Sequence, residues 1–100
     1  MKLNVLERIT LLQILPKEGT YVTFKILIDL KARLAFNEKE IKEFGVEENE
    51  GQIRWKKSTD KEIEIGEKAT DIVVDVLKKL DKDGKINDNN VLLFEKFIKT

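Results

Sequence analysis

Asp81-Lys82-Asp83-Gly84-Lys85-Ile86 comes nearest to a metal site in this chain, because acids two apart ahead of a glycine resemble part of an EF-hand calcium loop. Numbered from Gly84 as the loop glycine, the first ligand position holds Lys79 and the twelfth Asn90, where a carboxylate and a bidentate glutamate are required. Numbered from Asp81, the twelfth position is Leu92 and the glycine is lost. The segment therefore reads as a helix end followed by an Asn-capped helix start. Asp71 and Asp75 stand four apart on one helical face, a spacing that would suit Mg²⁺ or a general-acid pair. In the first turns of a solvent-facing stripe, two acids serve the helix dipole instead. Ser58, the sole serine, needs a base to become a nucleophile, and the chain contains neither histidine nor cysteine. Zinc ligation by imidazole or thiolate, a triad with a base that titrates near neutrality, and disulfides all lack their residues. A non-catalytic protein is expected, with no catalytic residue, cofactor or metal.

Two charged segments offer binding surfaces. Residues 37–51 hold six glutamates against two lysines, the most polarised stretch of a chain whose 19 basic and 19 acidic residues cancel. Glu43, Glu47, Glu48 and Glu50 are the candidate contacts for a partner with a basic surface, since such charges steer encounter and select the complementary patch. Arg54, Lys56, Lys57 and Lys61, with Trp55 among them, form the alternative, a basic and aromatic mixture that would suit nucleic acid. Helices followed by a hairpin also suggest a winged helix-turn-helix regulator. The helix that would enter the groove carries Glu38, Glu40 and Glu43, however, and phosphates would be repelled there. Zero net charge speaks against a generic phosphate or lipid binder. A membrane segment is not expected, because Lys25 and Asp29 break the apolar stretch from Tyr21 to Leu30, and Glu7 with Arg8 interrupts any leader-like run.

The elements that must position these residues follow from periodicity and caps. Asn4 with Glu7 three positions on is a capping-box signal, and the spacing predicts a helix from about Val5 to Leu15, stopped by Pro16. Phe24, Leu27, Ile28, Leu30 and Leu34 predict a second helix capped by Thr20 or Thr23. Asn37 with Glu40 predicts a short third, ending at Gly45, and Val46 to Gly51 reads as a polar turn. Alternation in Ile53 to Lys56 and Glu62 to Ile65 predicts a hairpin around Lys57 to Lys61, with Arg54 opposite Glu64 and Lys56 opposite Glu62. Trp55 then joins the core beside Ile53, Ile63 and Ile65. Ala69, Ile72, Val73, Val76, Leu77 and Leu80 form the clearest helical stripe, and Asn87 to Asn89 cap a last helix through Phe97 and Ile98. The expected fold is α+β, a compact single domain over 1–100 with about five helices, one of them short, and one central antiparallel β-hairpin.

Lys2-Leu3-Asn4-Val5-Leu6-Glu7-Arg8, Ile14-Leu15-Pro16-Lys17-Glu18-Gly19 and Glu62-Ile63-Glu64-Ile65-Gly66-Glu67-Lys68-Ala69-Thr70-Asp71 resemble a family of small proteins encoded by phages and prophages of Gram-positive bacteria. The similarity extends through Leu93-Phe94-Glu95-Lys96-Phe97. It transfers no functional residue, but implies a viral or prophage gene acting in the bacterial host cytoplasm, with a host protein as the partner. Inhibition of a host defence or nucleic-acid enzyme through the acidic patch is the expected function. A DNA-binding regulator and a structural or self-assembling virion protein are the alternatives.

Overall fold

Side-chain caps fix where the first three helices begin. The computed structural model describes residues 1–98. Helix α1 (Val5–Ile14) opens on a complete capping box, in which the Glu7 amide donates to Asn4 Oδ1 at 2.8 Å and the Asn4 amide to Glu7 Oε1 at 2.9 Å. Of the two threonines, Thr20 caps α2 (Tyr21–Leu34), its hydroxyl accepting from the Thr23 amide. Asn37 and Glu40 repeat the capping box for α3 (Glu38–Phe44), which closes at Gly45 with φ 65°. The main amphipathic helix is α4 (Glu67–Lys82), which buries Ala69, Val73 and Leu77, and the last is α5 (Val91–Ile98). Helix α1 packs on α2 and α5, while α4 packs on both of those as well.

The strands pair differently from the alternation-based expectation. Glu47–Asn49 (β2) and Gln52–Arg54 (β3) form the antiparallel hairpin, with Glu47 opposite Arg54, Glu48 opposite Ile53 and Asn49 opposite Gln52. Glu62 is matched instead in a second antiparallel pair, between Lys61–Glu62 (β4) and the initial strand Lys2–Leu3 (β1). The hairpin centred on Lys57 to Lys61 is therefore corrected: Arg54 faces Glu47, and Glu62 faces Lys2 rather than Lys56. Two residues with positive φ, Glu50 at 52° and Gly51 at 80°, close the true hairpin, the conformation that a tight two-residue connection demands. Val46 to Gly51, expected to be only a turn, thus supplies a strand.

Burial divides into two clusters. The larger joins Leu3 with Leu11 of α1 and its C-cap Leu15, Leu27, Leu30 and Leu34 of α2, Ile63, the α4 stripe and Leu93. The smaller consists of Val5, Ile9 and Phe44, covered by Phe36, Val46 and Trp55. Trp55 is half-buried there and does not share a core face with Ile63, which belongs to the other cluster. Ile28, expected on the buried stripe of α2, is 55% exposed. A radius of gyration of 13.7 Å matches the roughly 13 Å of a folded chain this long. The fold is thus a single α+β domain, with five helices and two small antiparallel strand pairs among the described residues. Among the described residues, no helix is long and apolar enough to cross a membrane.

Candidate functional site

A buried charge pair anchors the base of the acidic segment. Arg8, on the inner face of α1, is fully buried, and its guanidinium donates to Glu40 Oε2 at 2.6 Å. Nε and Nη2 donate to the carbonyls of Leu34 and Ala35 at 3.1 and 2.8 Å, which satisfies groups left open where α2 ends. The Phe36 ring lies 4.0 Å from the guanidinium carbon. Glu40 meanwhile keeps its capping bond to the Asn37 amide and receives Lys61 Nζ at 3.4 Å. The hydrogen bond from Arg8 is the main influence holding the Glu40 carboxyl down at about 2; burial opposes it, while the Asn37 amide and the nearby Arg8 and Lys61 charges assist. One arginine therefore locks α1, the end of α2 and the start of α3 together.

From this anchor the chain runs into the acidic surface. Glu43 near the end of α3, Glu47 and Glu48 on β2, and Glu50 in the turn are all exposed. Among the described residues, none of the four forms an ion pair within 4 Å. Their backbone is nevertheless ordered by pairing. The Lys56 and Lys57 amides both donate to the Phe44 carbonyl, at 2.7 and 3.1 Å, and hold the far side of the hairpin against the end of α3. Gly45 accommodates this approach, since a Cβ there would stand 3.3 Å from the Lys56 side chain and φ is already left-handed.

The basic residues disperse. Arg54 lies across the ribbon from Glu47, Lys56 stretches over Gly45, and Lys61 turns towards Glu40. Lys57 is exposed on the connecting loop. Ser58 on that loop accepts the Val5 amide at 3.1 Å and so serves the start of α1, in keeping with a structural role. Asp81 and Asp83 belong to the end of α4: the Asp81 carbonyl accepts from Gly84, and Asp83 is the helix's last boundary residue. No cluster of three acidic side chains suited to a cation is found among the described residues.

Sequence reasoning missed a cavity beside the acidic ribbon. Ile9, Leu12 and Gln13 of α1 line it together with Phe36, Val46 and, at its exposed lip, Ile53 of β3, with a volume of about 180 Å³. A more polar hollow of about 300 Å³ continues past Ile53 along α1, offering Thr10, Gln52 and Asn89. Paired residues share a face of an antiparallel ribbon, so Glu48 stands next to Ile53 at the cavity's lip. The available signal was Phe36 and Ile53 flanking the acidic segment and Val46 within it, with no regular period to connect them. The domain thus carries a concave, mainly apolar site edged by Glu48, which forms no ion pair among the described residues. In comparisons with protein-family models, curated proteins and solved structures, the chain finds no match.

Proposed function

We propose that this protein acts by binding a protein partner, docking the end of α3 and the β2–β3 ribbon onto a basic surface. Glu50 carries the reading. A glutamate at φ 52° occupies the left-handed region where asparagine or glycine costs less, by about 1 kcal/mol, and its carboxylate gains no ion-pair partner among the described residues in return. Such a cost is understandable where the carboxylate meets something outside the chain. Glu43, Glu47 and Glu48 extend the same field, and the dispersal of Arg54, Lys56, Lys57 and Lys61 favours this surface over a nucleic-acid one.

With the resemblance to phage and prophage proteins, the partner is a host protein, and an enzyme whose nucleic-acid site is basic has the complementary chemistry. Occupying such a site would inhibit the enzyme without catalysis by this chain. The test is affinity capture from host lysate by the parent protein, by a variant with Glu43, Glu47, Glu48 and Glu50 changed to Gln, and by one with Lys56, Lys57 and Lys61 changed to Gln. The parent and the lysine variant retain the partner, and the glutamate variant releases it. Loss of the partner by the lysine variant alone contradicts the proposal, and salt-sensitive binding of duplex DNA by the parent would replace it with a regulator.

A further inference from the structure

We infer that the cavity between α1 and the β2–β3 ribbon receives one large apolar side chain of the partner, from a segment that carries lysine or arginine on either side of that residue. The inference rests on the basic-partner reading and specifies what the partner presents. Size sets the first condition. A dry cavity of roughly 150 Å³ accepts a benzene ring, so about 180 Å³ at Ile9, Leu12, Phe36, Val46 and Ile53 has room for one Phe, Leu or Met side chain. Ile53 at the lip is 37% exposed, so the site opens to solvent.

Charge sets the second condition. A wholly apolar segment would bring its flanks against Glu48, which shares the Ile53 face of the ribbon, and towards Glu50 at its turn; neither forms an ion pair among the described residues. Cations flanking the anchor gain from these carboxylates while the anchor excludes water, which is how a central apolar contact with a charged rim divides its work. The neighbouring hollow supplies Thr10, Gln52 and Asn89, which can bond the backbone that leads away from the anchor. Within this chain, the stretch Ile53-Arg54-Trp55-Lys56 has the required composition. That stretch is already engaged in its own fold, since Trp55 covers the smaller cluster and Ile53 lines the cavity itself, so it is not the segment a second copy would insert.

Two lysine-rich peptides, identical except for a central Phe or Ala, provide the probe. Titrated into the full ¹⁵N-labelled chain at low salt, the Phe peptide should bind about tenfold or more tightly than the Ala peptide, given the apolar area a ring buries. The Leu12, Phe36, Val46 and Ile53 amides should shift with it, and Ile53→Gln should erase the difference. Equal affinity of both peptides, abolished by Gln at the four glutamates, overturns the cavity inference and leaves the acidic docking reading intact. No binding of either peptide, by parent or variant, overturns both. Concentration-dependent self-association that shifts the Leu12, Phe36, Val46 and Ile53 amides would assign the cavity to a second copy and overturn the inference as stated.

Discussion

Arg8 shows how much a single buried side chain can organise. Removing one member of a buried pair leaves the other charged and unsolvated, so Arg8→Ala should cost about 3–5 kcal/mol in urea unfolding. Glu40 converts the same contact into an acid dependence. Folding favours its ionised form, so the stabilisation is complete above the unfolded value of 4.5, declines as pH falls, and is gone below about 2. The shift corresponds to about 3 kcal/mol, and Glu40→Gln should flatten the stability profile across that window. An unchanged slope between the parent and the Glu40→Gln variant would remove Glu40 from the account. Trp55→Ala should cost about 1–3 kcal/mol, less than a fully buried indole, because the ring is half-buried over Val5, Ile9 and Phe44. The sequence showed the caps at Asn4 and Asn37 because each is complete within four residues. It could not show that Arg8 is buried, since the groups that make this tolerable, Glu40 and two carbonyls at the end of α2, lie 26 to 32 residues away.

Elements defined by local pattern were legible, and those defined by the choice of a partner were not. Helices α1, α3 and α4 follow from caps and stripes, and α4 has apolar residues on the face it buries. Alternation identified Ile53 and Glu62 as strand residues, but it is equally satisfied by any neighbour of matching register. The decision fell to Glu50-Gly51, whose positive φ values close a two-residue turn that lacks the usual Asn-Gly signature. This turn makes a directional prediction. Glu50→Asn restores that signature and should stabilise the domain by about 0.5–1 kcal/mol, whereas Gly51→Ala, with φ at 80°, should destabilise it by about 1 kcal/mol. Thermal unfolding of the two variants checks both signs. The acidic residues of the candidate site were visible as composition. The cavity at their side was not, because α1, residue 36 and β3 meet there only through the corrected pairing.

At the scale of the whole molecule, the larger cluster supplies most of the burial, and the smaller one supports the surface proposed for binding. The ribbon and the end of α3 are attached to α1 through Phe44, Val46 and Trp55, while Arg8 and Glu40 fix their base. Charge can therefore change on the outer face without dismantling either cluster. Gln at Glu43, Glu47, Glu48 and Glu50 should leave unfolding within about 1 kcal/mol of the parent, as exposed and unpaired charges contribute little to stability. Binding should respond differently, because uncompensated carboxylates accelerate encounter with a cationic surface and lose this effect as salt screens them. The most direct test is the association rate with the captured partner, measured across ionic strength for the parent and the glutamate variant. The account predicts a rate for the parent that falls steeply with salt, and a slower, nearly flat one for the variant. Superimposable salt profiles for two equally stable proteins would contradict it.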